Sequence, residues 1–291
     1  PDTGLVYIPV NEIPFFYDKT RNVEDSKSFW NIGYDAAAGW PVEYPAGTLD
    51  AVRDLDGGTL LAWDPVKAEP RWAVPFPLPL NGGVLSTQAG LVFQGNKFGE
   101  FVAYDAETGE RLWADKLVGN AAAAPMTYEI DGEQYLSVLS GWGSVSSLIA
   151  GFTYGEAKSK EPARVITFKL GGDADMPSAL IDNVVRTPQS PMFGEPDEHQ
   201  LGMQRFAENC HFCHGAFAVS GGVVPDLRWS ALSANEQAWD LVVREGALEK
   251  QGMVSFAGHL SKEDTDAIRA YVVQQAWLAV ANGDAVAPQD G

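Results

Sequence analysis

Two kinds of hydrophobic pattern divide the chain. Up to about residue 170, apolar residues come in short runs of four or five bounded by glycine, aspartate and asparagine, as in Leu91 to Gln94, Phe101 to Tyr104 and Tyr135 to Leu139. Such runs predict β-strands, and the Asp131-Gly132 pair ahead of the third run predicts a hairpin turn. From residue 196 onward the spacing becomes helical. Leu201 and Phe206 mark a helix running into Cys210. Ser233 and Glu236 form a capping-box signature ahead of Trp239, Val242 and Val243. Ser261-Lys-Glu-Asp264 opens a last helix with Ile268, Tyr271, Val272 and Trp277 on its apolar face.

The strand-rich half repeats itself. Gly58, Ala62, Asp64 and Trp72 recur as Gly99, Ala103, Asp105 and Trp113, each pair 41 positions apart. A period of about 40–45 residues built from short strands marks the blades of a β-propeller. About three blades are legible: residues 4–9 with 58–72 around a long insertion, residues 83–114, and residues 124–168. A closed propeller needs four to eight blades, and three leave strand edges unpaired. The expectation is that the remaining blades lie on another polypeptide. The fold class is therefore an all-β propeller fragment (residues 1–170), a Gly-, Pro- and Asp-rich linker (171–195), and an all-α domain (196–291).

Composition narrows the function. Hydrophobic residues make up 45% and charged residues 20% of the 291 positions, ordinary values for a globular protein. No apolar run approaches the roughly 18 residues of a transmembrane helix. The net charge of −19 argues against nucleic acid, whose phosphates would be repelled, and favours a basic redox partner. The chain opens at Pro1 without a methionine, so either a leader has been removed or this is the later part of a longer product.

The two cysteines belong to one motif, Cys210-His-Phe-Cys213-His214. Cys-x-x-Cys-His is the attachment pattern of haem c: the thiols add to the two haem vinyl groups, and the adjacent histidine becomes an axial iron ligand. Three helices around one haem make residues 196–291 an all-α class I cytochrome c domain. A redox dithiol or half a zinc site is the alternative, but no second ligand pair exists. Met253, in Gly252-Met-Val-Ser-Phe256, is the best candidate for the other axial position, with His259 as the remaining downstream choice; Met192 and Met203 precede the motif. Pro225-Asp226-Leu227-Arg228 is a candidate haem-edge segment, with the Pro225 carbonyl accepting from His214 and Arg228 facing a propionate; its alternative is a plain turn. His211 fills the gap between the cysteines, and His199 reads as a solvated residue on the first helix.

Taken in order, Thr3 to Pro9, Leu60 to Pro65, Asn81-Gly-Gly83, Leu91 to Gly95, Phe101 to Gly109, Gly141-Trp-Gly143 and the haem motif resemble the C-terminal part of the type II quinohaemoprotein alcohol dehydrogenases. The resemblance implies an eight-bladed periplasmic propeller that holds pyrroloquinoline quinone and Ca²⁺ and is followed by a cytochrome c domain. It assigns quinone contacts to Asn81 and Trp142. Leu80 and Ser144 depart from the family's usual tryptophan and glycine. Trp72 and Trp113 match the family's blade-docking tryptophans. The family's calcium ligands and catalytic aspartate lie upstream of the first residue here, so no catalytic residue is expected in this chain, and Ca²⁺ is expected on the partner.

These readings converge on a cytochrome-bearing subunit of a split or cleaved dehydrogenase. An alcohol or aldehyde would be oxidised at the quinone, and electrons would pass to haem c and then to a soluble acceptor or the respiratory chain. The alternative is an electron-transfer cytochrome whose propeller remnant serves only for docking. The aromatic-rich insertion at 11–55 either caps the substrate entrance or covers blade edges.

Overall fold

The computed structural model describes residues 2–13, 27–29, 48–55, 57–141, 148, 163–176, 186–283 and 285. The chain forms two compact units. One gathers 1–14, 46–144 and 158–182; the other gathers 15–45, 145–157 and 183–291.

The first unit contains three antiparallel sheets. Strands β1 (Val6–Glu12), β2 (Gly57–Asp64) and β3 (Glu69–Phe76) form one, in that order. The second holds β4 (Val84–Ser86), β5 (Leu91–Gly95), β6 (Glu100–Asp105) and β7 (Arg111–Lys116). The third pairs β8 (Met126–Ile130) and β10 (Arg164–Lys169) with the central β9 (Glu133–Ser140). These are the three blades expected from the repeat. Asp131 and Gly132 both adopt positive φ (53° and 80°) between β8 and β9, the geometry of a two-residue type I′ hairpin.

The 41-residue repeat has a structural meaning at each position. Ala62 pairs with Trp72, and Ala103 pairs with Trp113; in both sheets the register shifts immediately after that alanine. Each aspartate ties the following turn. Asp64 Oδ1 accepts from the Val66 and Lys67 amides, and Asp105 Oδ1 accepts from Glu107 and Thr108. Those backbone donors hold both carboxyls below their ordinary range, which suits turn capping rather than proton transfer.

The tryptophans join neighbouring blades. Trp72 donates to the Ala106 carbonyl at 3.1 Å, and Tyr7 donates to the same oxygen at 2.9 Å. Gly109, at φ 76°, leaves room for the indole: a Cβ there would lie 2.7 Å from Trp72. Trp113 meets Phe168 of the third sheet edge-on at 5.2 Å. Leu60, Val92, Val102, Tyr104 and Ala106 fill the space between the first two sheets, and Phe101, Leu117, Ala121 and Val138 fill that between the next two.

The second unit is helical among its described residues. A first helix (Pro196–Asn209) packs on the last (Lys262–Ala281), and a shorter helix (Glu236–Val243) lies between them in sequence. Gly202 permits the helix crossing, because a Cβ there would fall 2.0 Å from the Ala267 carbonyl oxygen. Met203, Phe206, Trp239, Leu260, Ile268, Tyr271 and Val272 form the core, which Cys210 joins.

Two sequence expectations need correction. The Glu236–Val243 helix is capped by Asn235, whose side chain accepts from the Ala238 amide. Ser233 instead belongs to the preceding 3₁₀ turn, where its hydroxyl donates to Ser230. Asparagine is as good a cap as serine, and the intervening turn moves the helix start past Ser233. His199 is buried rather than solvated, because residues 190–195 fold back over the helix and its Nε2 donates to the Phe193 carbonyl at 2.8 Å. The capping box of the last helix is present, with Ser261 and Asp264 exchanging hydrogen bonds.

Candidate functional site: a helical turn built for a covalent cofactor

Cys210 to His214 wind as one helical turn, with the amides of Cys213 and His214 both donating to the Cys210 carbonyl at 3.1 and 2.9 Å. Positions three and four apart on such a turn share one side. The spacing therefore presents Cys210, Cys213 and His214 together. Both thiols are free, Cys210 buried and Cys213 exposed. Burial, reinforced by the neighbouring thiol, pushes Cys210 up to about 12, so it is a neutral thiol here.

His214 Nδ1 donates to the Pro225 carbonyl at 3.1 Å. A carbonyl only accepts, so Nδ1 carries the proton and Nε2 keeps its lone pair for a metal. Burial lowers the basicity of this imidazole, which the Pro225 bond and the Asp226 carboxylate only partly offset. His211 is fixed in the same manner on the Ala207 carbonyl at 2.5 Å, and burial pushes it down to about 4.

Beside Pro225, Asp226 holds Arg228 through two contacts of 3.0 and 2.7 Å and caps the short turn Leu227–Trp229. The guanidinium lies 4.8 Å from the centre of the Trp229 ring. Trp229 Nε1 is buried and has no hydrogen-bond partner among the described residues. An indole N–H in that condition wants an acceptor, and a haem carboxylate is one. Met253 is partly buried and packs on the same core, following Gly252 at φ 97°. His259 is committed elsewhere: its Nε2 donates to the Lys27 carbonyl at 2.5 Å. Free paired thiols, a histidine with a fixed tautomer and an orphaned donor together fit haem c.

The Asn81 loop belongs to the propeller unit. Asn81 Nδ2 donates to Leu78 O at 2.8 Å, and its Oδ1 accepts from the Lys97 amide at 3.4 Å. Leu80, at φ 61°, sits in the left-handed region that a leucine normally avoids. The glycines after Asn81 are required by packing: Cβ atoms would lie 2.3 Å from Ala121 O at Gly82 and 2.7 Å from the Ala124 side chain at Gly83. Sequence reading had no signal for that constraint. Trp142 lies outside the described residues, as do most aromatics of the 11–55 insertion. Among the described residues, no group of three or more His, Cys, Asp or Glu side chains is arranged for a metal ion. None of the described helices is long and apolar enough to cross a membrane.

Residues 44–136 match the family described as glucose/ethanol/alcohol dehydrogenase, beta-propeller domain. Residues 197–272 match the family described as cytochrome C oxidase, cbb3-type, subunit III. The chain is 39% identical over 278 residues to quinohemoprotein alcohol dehydrogenase ADH IIB of Pseudomonas putida, covering 94% of this chain and 39% of that protein. It is 37% identical to ADH-IIG of the same organism, covering 98% and 39%. The solved structure of ADHIIG superposes with a TM-score of 0.79 at 34% identity, over 98% of this chain and 41% of that one. The Comamonas testosteroni quinohemoprotein alcohol dehydrogenase gives 0.70 at 32% identity, over 96% and 40%. The chain is thus a quinoprotein propeller fragment with a cytochrome c domain, homologous to these dehydrogenases over nearly its whole length and spanning about two fifths of theirs.

Proposed function

We propose that this chain is the cytochrome-bearing part of a quinohaemoprotein dehydrogenase that oxidises alcohols or aldehydes in the periplasm. One observation carries the reading: the Cys210–His214 turn, with His214 held by Pro225, is joined in the same polypeptide to blades of the quinoprotein type. When bound, pyrroloquinoline quinone with Ca²⁺ would supply the two-electron oxidation, and haem c would supply one-electron storage and onward transfer.

The chain's own residues then have defined tasks. Cys210 and Cys213 would anchor the haem, His214 and Met253 would hold its iron, and Trp229 with Arg228 would receive its carboxylates. Pro225 fixes the proton on His214 Nδ1. Asn81 has a second Nδ2 proton beyond the one given to Leu78, and that proton would be offered to the quinone. Trp142 would line the quinone's edge. The base that takes the alcohol proton and the Ca²⁺ ligands are supplied by the remaining blades, on a partner chain or on further length of the same protein. Electrons leave to a soluble acceptor or the respiratory chain.

The test is alcohol-driven haem reduction. Protein is purified from its own source, its native and denatured masses are measured, and a primary alcohol is added under anaerobic conditions. Appearance of the reduced haem spectrum, together with release of a quinone-sized mass on denaturation, is the expected result. A haem protein that contains no quinone and stays oxidised with every alcohol and aldehyde tried would reject the dehydrogenase and leave the docking-module cytochrome.

A further inference from the structure

The register of the first sheet makes the insertion after β1 conspicuous. Glu12 and Gly57 are direct antiparallel partners, and two residues suffice to join such a pair. Positions 13–56 intervene instead. Three of them, Lys27, Ser28 and Phe29, group with the cytochrome unit and contact its helices. Lys27 Nζ lies 2.8 Å from Asp264 Oδ2, a carboxylate that also receives Arg205 and caps the last helix. Ser28 Oγ donates to the Glu208 carbonyl at 3.0 Å, and the Phe29 amide donates to Asn209 Oδ1 at 2.8 Å. The Phe29 ring meets Phe256 at 5.6 Å and His259 at 5.8 Å, both edge-on. His259 closes the set through the Lys27 carbonyl.

Charge, backbone and ring contacts therefore come from three consecutive residues and converge on the ends of two haem-domain helices. The residues they meet flank the haem motif: Glu208 and Asn209 immediately precede Cys210, while Phe256 follows Met253 by three positions. Asp264 is almost fully buried, and burial alone would raise its pKa; the hydrogen bonds from Lys27, Ser261 and Arg205 more than offset that.

We propose that Lys27–Phe29 is a clasp through which the first blade holds the cytochrome domain, and that Lys27 and Phe29 are positioning residues for electron delivery to the haem. Of the linker at 171–195, residues 190–195 pack on the cytochrome helices; the remaining stretch of about 19 residues would by itself let its ends wander by about 22–26 Å if it behaved as a flexible coil. A second attachment raises the local concentration of the haem domain for the rest of the chain and so speeds electron delivery.

The clasp is tested on the complete holoprotein with a specific protease site placed at 178–185. After cleavage in the folded state, gel filtration is followed at the haem absorbance. The expected result is that the haem fragment stays with the propeller, and that Lys27→Ala with Phe29→Ala raises the released fraction at least tenfold, while Lys27→Arg retains it. Equal retention in the double variant, or release from the unaltered protein, overturns the proposal. Lys27→Gln alone, which leaves the apolar contacts in place, serves if the double variant does not fold. A second arm rests on the dehydrogenase reading: alcohol-driven haem reduction slows at least tenfold in the double variant, with the haem spectrum and midpoint potential unchanged. An unchanged rate there also overturns the clasp. Absence of reduction in the unaltered protein counts against the dehydrogenase alone, since the cleavage arm still decides the clasp.

Discussion

His214 and Pro225 are joined by a hydrogen bond of 3.1 Å that spans eleven residues and gives the imidazole a single tautomer. The donor property of Nδ1 makes the ring a better electron donor through Nε2, which favours the oxidised iron. Replacing Pro225 by glycine frees the carbonyl to move and weakens that bond. The haem midpoint potential should rise by tens of millivolts, against about 59 mV for each tenfold change in a one-electron equilibrium. Redox titration of the variant measures it, and an unchanged potential would show that the carbonyl has no influence on the iron.

Met253 offers a thioether from the loop after Gly252, and a thioether ligand raises the potential. Met253→Ala should therefore lower the midpoint by more than about 59 mV and open a coordination position to added imidazole. Retention of a six-coordinate spectrum that ignores imidazole would assign the ligand elsewhere.

Trp72 contributes both packing and a hydrogen bond between the first two blades. Trp72→Ala should cost about 3 kcal/mol, and Trp72→Phe, which keeps most of the ring, about 1 kcal/mol. The loss belongs to the propeller unit. Thermal unfolding followed by tryptophan fluorescence should report it, while the haem spectrum of the folded protein stays the same.

Asp264 carries a pH signature. Its folded pKa lies below the ordinary carboxylate value, so the unfolded state takes up the proton first as pH falls. The stability it contributes is complete above the ordinary value of about 4 and is lost as pH drops toward the folded one. Asp264→Asn should cost on the order of 3 kcal/mol at neutral pH, because it removes the buried negative charge that both Arg205 and Lys27 meet, and should flatten the acid limb of the stability curve. Denaturant melts of the haem protein at a series of pH values from 7 downward distinguish this from a pH-independent loss.

Much of the architecture could be read along the chain because its signals are local. The spacing of Gly58, Ala62, Asp64 and Trp72 against their counterparts 41 residues on reports a blade, since each sheet repeats the same bulge, turn and docking ring. The haem motif is equally local: one helical turn fixes the relation of two thiols and a histidine. The start of the middle helix was misplaced by two residues because Ser233 and Asn235 are both competent caps, and a 3₁₀ turn chose between them.

What the sequence determined by itself was therefore the set of elements and the chemistry carried within single turns: strands, hairpins, the capping box of the last helix and the Cys210–His214 attachment site. Tertiary structure decided what depends on groups far apart in the chain. It demanded Gly202 for a helix crossing against Ala267 and brought Lys27 to Asp264 across 237 positions. Local pattern encodes backbone hydrogen bonding over a few residues. Long-range contacts are selected only when a whole core closes and each buried polar group must find a partner.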